Sequence, residues 1–135
     1  MPPHSQHRGA ATVELAVALP LLTFLFLVAV DFCRVFYFSQ VVTNCTRNGA
    51  LYATDPVAAG WSRYRSLEEA VRADAGADIA GQLTITSTTG TDSVGSYTQI
   101  TVSYPFTTLT NYLGIARTTT ITRQALARPA ALVPN

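Results

Sequence analysis

One carboxylate in this chain stands where a charge is costly. Glu14 follows Arg8-Gly9-Ala10-Ala11-Thr12-Val13, and from Leu15 to Val30 every residue is apolar except Pro20 and Thr23. As a helix, Ala10 to Val30 would reach roughly 31 Å, about the thickness of bilayer hydrocarbon. The eleven Leu, Val and Phe residues between Leu15 and Val30 favour insertion by roughly 3 to 6 kcal/mol, whereas an acid at mid-bilayer costs about 2.5 to 3.5 kcal/mol. Insertion wins, and the acid still needs a reason. One reason is position alone, because Glu14 lies within about 6 Å of the start of the apolar helix and can reach the headgroup layer. The other is a cationic partner.

The remaining residues with chemical potential are sparse. His4 and His7 in the Pro-containing leader make an incomplete metal-ligand set, so no metal is expected there. Glu68, Glu69, Asp74 and Asp78 match no calcium-loop spacing and read as the solvated face of a helix. Cys33 and Cys45, the two cysteines, would stand roughly 18 Å apart on one helix, beyond disulfide reach. They serve either as an intersubunit bridge or lipidation site or as small apolar residues on a helix face. Beyond Thr54 there is no histidine, cysteine or lysine and no Gly-rich phosphate loop, so the chain is not read as an enzyme and no cofactor is expected. Nine basic residues, all arginine, face eight acids. That balance lacks the basic patch that nucleic-acid binding requires.

Several elements must position these groups. Residues 1–9 form a polar leader whose Arg8 precedes the span, which by the positive-inside tendency keeps that end cytoplasmic; Arg34 on the far side is partly offset by Asp31. An ordinary secretory signal fits less well, since the small-residue pair Ala16 and Ala18 comes too early and no clean small-x-small site follows directly after Val30. The span, residues 10–33, contains Pro20, which removes a backbone hydrogen bond and is expected to kink or locally melt the helix. No glycine or proline follows until Gly49, so the helix should continue as an amphipathic extension, residues 34–54. Phe38, Val42, Cys45, Gly49 and Tyr52 form its apolar stripe, with Ser39, Gln40, Thr43, Asn44, Thr46 and Arg47 elsewhere.

An extracytoplasmic domain, residues 55–128, follows. Asp55-Pro56 and Gly60 break the helix, and Ser66 with Glu69 forms a capping box for a second helix carrying Leu67, Val71, Ala75 and Ile79 on one face and stopped at Gly81. Three strands are predicted, Gln82 to Thr88, Tyr97 to Tyr104 and Arg117 to Ala127, with Thr89 to Ser96 as a hairpin loop. Pro105 should end the middle strand, leaving Phe106, Leu109, Leu113 and Ile115 in an apolar connection assigned mainly to the core. Residues 129–135 read as a frayed tail. The fold class is α+β: a long N-terminal transmembrane helix running into a domain with a short helix and an antiparallel sheet of about three strands.

The run from Arg8 to Ala16, with Leu19-Pro20-Leu21-Leu22, Asp31-Phe32-Cys33-Arg34 and Arg47-Asn48-Gly49-Ala50, resembles the amino-terminal half of TadE-like proteins, pseudopilins of tight-adherence (Flp-type) pilus systems. The resemblance is close over about the first 55 residues. Leu15 replaces the usual aromatic after the glutamate, and Cys33 the usual glycine. The resemblance implies cleavage by a prepilin peptidase between Gly9 and Ala10, making Glu14 the fifth residue of the mature chain. It also implies that Glu14 sets subunit register by meeting the terminal amine of a neighbour, a buried pair of more use for register than for net stability. The expected function is that of a minor pseudopilin, a structural subunit in assembly of the pilus or a related secretion apparatus. Its partners would be the prepilin peptidase, sibling pseudopilins, an inner-membrane assembly platform and the lipid bilayer, with the carboxy-terminal domain extracytoplasmic. The alternative is an uncleaved single-pass anchor displaying a small adhesive or ligand-binding domain, with recognition at the Thr89–Ser96 loop.

Overall fold

The computed structural model describes residues 7–109 and 117–129, apart from the side chains of residues 7, 8 and 56–58. Helix α1 (His7–Thr54) is continuous over 48 residues, roughly 72 Å. Pro20 lies inside it without interrupting it, so the expected melting does not occur. The Thr23 hydroxyl caps the Leu19 carbonyl there at 2.9 Å.

Short elements follow. The helix does end at Asp55-Pro56, but Pro56 begins α2 (Pro56–Trp61), and Gly60 lies within it instead of breaking it. Proline suits a first helical position, where its missing N–H has no partner to lose. Ser66 accepts a hydrogen bond from the Glu69 amide at 3.1 Å, capping α3 (Leu67–Arg72) as predicted. The Glu69 carboxylate returns to the Arg65 amide at 2.7 Å. The predicted single second helix is split, with α4 (Ala77–Ala80) starting after Gly76, whose ψ of 155° is extended. Arg72 bridges the gap by donating to the carbonyls of Ala80 and Leu83. Val71 and Ile79 still reach the core from the two pieces.

The sheet is an antiparallel meander in the order β1 (Thr84–Asp92), β2 (Gly95–Thr107), β3 (Thr118–Ala127). Most of the expected Thr89–Ser96 loop is therefore strand. Asp92 pairs with Gly95 across a two-residue turn, and Gly95 supplies the positive φ of 130° that an L side chain resists. Nor does Pro105 end β2. The Thr108 amide donates to the Arg117 carbonyl at 3.0 Å, so by alternation the missing N–H of Pro105 falls on the opposite side. That side is open, because the first residue of β1, Thr84, pairs with Ser103.

The core lies between the outer half of α1, α3 and the inner face of the sheet. It comprises Val42, Cys45, Val71, Ile79, Leu83, Ile100, Val102, Tyr104, Phe106 and Ile121. The predicted stripe on α1 is the docking face, with Val42, Cys45 and Gly49 buried and Phe38 and Tyr52 half-buried. Thr46, placed off that stripe by sequence, is buried as well; its hydroxyl is satisfied by the Val42 carbonyl at 2.7 Å. Gly49 permits the closest approach: a Cβ there would sit 2.5 Å from Val71 Cγ2 and 3.4 Å from Ile100 Cγ2.

Candidate functional site

Gly9, Ala10 and Glu14 all lie in the first turns of α1 and are exposed. The Gly9–Ala10 bond is part of the helix, and a side chain built on Gly9 would meet nothing within 4 Å. Glu14 lies roughly 26 Å along α1 from Asp31, the point at which the sheet domain is tied to the helix. From Val13 to Phe26 the large apolar side chains other than Phe24 are exposed, and Phe24 is only half-buried. The helix is long and apolar enough to cross a membrane, with none of its most apolar stretch buried by its own domain.

The joint at Asp31 is a feature that sequence reasoning registered only as a charge balance. Asp31 is 7% exposed. Its Oδ1 accepts the Leu109 amide at 2.9 Å and one guanidinium nitrogen of Arg34 at 3.1 Å. The same Arg34 nitrogen lies 3.4 Å from the Thr107 carbonyl, and the guanidinium covers the Phe106 ring at 5.2 Å. One acid and one base, a helical turn apart, thus fasten the end of β2 to the helix as it leaves its apolar stretch. The Asp-x-x-Arg spacing was the available signal. Its target was not legible, since nothing local says which strand end would arrive. Phe38 continues the contact by stacking on Tyr104 at 4.9 Å, and Arg123 on β3 donates to the Ser39 hydroxyl.

A second ionic contact closes the opposite end of the sheet. Arg128 grips both oxygens of Asp92 at 2.6 and 3.0 Å and lies 5.8 Å from the centre of the Tyr97 ring. Those hydrogen bonds, with one from the Val94 amide, hold the Asp92 carboxyl at a pKa of about 2. The pair ties the end of β3 to the hairpin turn.

The two cysteines differ. Cys33 is exposed on the helix and Cys45 is buried. Burial pushes the Cys45 thiol pKa up, and the nearby Asp74 carboxylate adds to the shift. Glu68, Glu69, Asp74 and Asp78 are exposed, and among the described residues no three of His, Cys, Asp and Glu converge as a metal would require. His4, Leu113, Ile115 and the tail from residue 130 lie outside the described residues, as does the side chain of His7. Phe106 enters the core as expected, whereas Leu109 is exposed.

Residues 9–51 match the family described as TadE-like protein. The match takes in Gly9, Ala10, Glu14, the Asp31–Arg34 joint and the docking stripe as far as Gly49, and it stops before the short helices and the sheet. No curated protein and no solved structure matches the chain.

Proposed function

Because the first helix is TadE-like from Gly9 to Leu51, we propose that this chain is a minor pseudopilin, a membrane-anchored structural subunit that takes part in assembling a tight-adherence pilus or a related secretion apparatus. A prepilin peptidase cuts between Gly9 and Ala10 on this reading. The new amine of Ala10, cationic in water at neutral pH, then offsets the charge of Glu14 on its own or a neighbouring subunit. Sibling pseudopilins and an inner-membrane platform are the partners that such assembly needs. The supporting observation is the exposure of Glu14 on a bare apolar helix, remote from the joint that fastens the chain's own domain.

Charge supports one orientation. Arg8 precedes the apolar stretch, and Arg34 beyond it is partly offset by its contact with Asp31 at 3.1 Å, a pattern that favours a cytoplasmic N-terminus with the sheet domain outside. The rival reading, an uncleaved anchor with a recognition loop at Thr89–Ser96, is weakened because that stretch is mostly paired strand with a two-residue turn.

The test is the N-terminal residue of the protein recovered from membranes of cells with an active prepilin peptidase, together with the Glu14→Ala variant. Ala10 at the N-terminus is expected, with Glu14→Ala inserting normally but failing to co-purify with sibling subunits. A persistent Met1 in assembled material, or unchanged assembly of the variant, refutes the reading.

A further inference from the structure

The helix and the sheet share an axis, and this fixes which end of the domain lies nearest the bilayer. Arg34 meets Thr107 and Gly49 meets Ile100. Fifteen helical residues and seven strand residues both span roughly 22 to 23 Å, so β2 runs alongside α1 in the opposite direction. The Asp92–Gly95 turn therefore points away from the apolar half of α1. The end of β2 arrives at Asp31, immediately after the stretch Ala10–Val30 that fills about 30 Å of hydrocarbon.

Leu109 is held at that level by its own amide, 2.9 Å from Asp31 Oδ1, yet its side chain is 64% exposed. The interfacial layer of a bilayer adds roughly 5 to 7 Å on each side of the hydrocarbon, enough to include Leu109. The neighbouring surface has the matching chemistry. Phe32, Phe36 and Tyr37 are exposed on α1, and Arg117, whose carbonyl accepts the Thr108 amide at 3.0 Å, is an exposed cation at the same end. Apolar and aromatic side chains with an arginine at their edge suit the boundary between acyl chains and phosphates.

We infer that the Leu109 end of the sheet domain is itself a membrane-contacting surface, seated in the interfacial layer of the bilayer that α1 crosses, with Leu109 among the acyl-chain ends and Arg117 toward the lipid phosphates. The bilayer is the occupant because this surface is continuous with the lipid-facing side of α1. The domain then has two attachments to the membrane, the span and this apposed end, and it cannot swing freely about the helix. The inference rests on α1 being a span, and the experiment separates the two.

The test uses the full chain reconstituted in phosphatidylcholine vesicles, with Trp61, an exposed side chain at 90%, replaced by Phe so that a single new tryptophan reports. Three variants are compared in that background: Leu109→Trp, Val94→Trp at the distal turn, where Val94 is 76% exposed, and Phe26→Trp inside the span. Expected are blue-shifted Leu109→Trp emission, quenched by lipids brominated near the headgroup end of the acyl chains, and unquenched, water-like Val94→Trp emission. Phe26→Trp should be quenched by deeply brominated lipids. Quenching of Phe26→Trp without quenching of Leu109→Trp overturns this inference and leaves the span intact. No quenching of Phe26→Trp overturns both. Blue-shifted Leu109→Trp emission insensitive to brominated lipid means that protein covers the site, which also overturns it.

Discussion

The two halves of α1 have the same backbone and opposite surroundings. From Val13 to Phe26 most of the large apolar side chains face outward, whereas from Asp31 onward the helix carries Val42, Cys45, Thr46 and Gly49 buried under the sheet and α3. An apolar helix surface left open by its own domain requires a different solvent, and lipid or the apolar surface of a neighbouring span supplies it. The other half buries one face against its own chain, although Phe32, Phe36 and Tyr37 at its start stay exposed. The boundary is chemically marked, because Asp31 and Arg34 stand at the change and bind the end of β2 to it. One element thus has two parts, an apolar stretch long enough to cross a membrane and a docking face for a small α+β domain.

The contrast is broken or upheld most forcefully by two phenylalanines. Phe106 is 1% exposed in the core and Phe26 is 67% exposed on the bare half. Phe106→Ala should destabilise the full chain in detergent micelles by about 3 to 5 kcal/mol, read as a lower denaturant midpoint in the near-ultraviolet circular dichroism of the folded domain. Phe26→Ala should leave that midpoint where it is. Equal losses would mean that the apolar half is packed within the monomer.

The legible part of this molecule was whatever is periodic. Sixteen residues of near-unbroken apolar sequence gave the span, the three- and four-residue spacing of Phe38, Val42, Cys45, Gly49 and Tyr52 gave the docking face, and Ser66 with Glu69 gave a helix start. What resisted reading depended on partners far along the chain. Thr46 is polar by composition but buried, because its hydroxyl turns back on Val42. Pro105 stays in a strand because the neighbouring strand is absent on the side where its amide would have bonded. The break at Gly76 is tolerated because Arg72 bridges α3 and the entry to β1. Gly9 and Ala10, proposed as the cleavage pair, and Glu14, proposed as the register carboxylate, stood out in sequence, and the fold of a single chain leaves all three exposed without exercising those roles. The joint at Asp31 was half visible, its ion pair in the spacing and its strand partner not.

That joint gives the intermediate effect. Asp31→Ala leaves the Leu109 amide without its carboxylate acceptor and Arg34 without its counter-charge, a loss of about 1 to 3 kcal/mol for a nearly buried group. The same near-ultraviolet midpoint should fall by that amount. Because the change is at the boundary and not within the bare half, membrane extraction by alkali should be unaffected. A variant that loses membrane retention along with stability would show that the two halves of α1 are not separable at this point.

The smallest effect lies at the far end of the sheet, where the charge is solvent-exposed. The folded Asp92 carboxyl, held at a pKa of about 2 by Arg128 and the Val94 amide, titrates below the ordinary carboxylate value of about 3.9 that it regains on unfolding. A lowered folded-state value makes the unfolded chain the better proton acceptor, so the contribution is complete above about pH 4 and disappears as the pH falls toward 2. Asp92→Asn should therefore be slightly less stable than the wild type at pH 5, and the two midpoints should converge by pH 2, with the other acids common to both. High salt should narrow the pH 5 difference, since this pair is solvent-exposed and open to screening. A difference that persists unchanged to pH 2 would rule out the charge of Asp92 as its source, and asparagine keeps an Oδ1 that can accept the Val94 amide as Asp92 does at 2.9 Å.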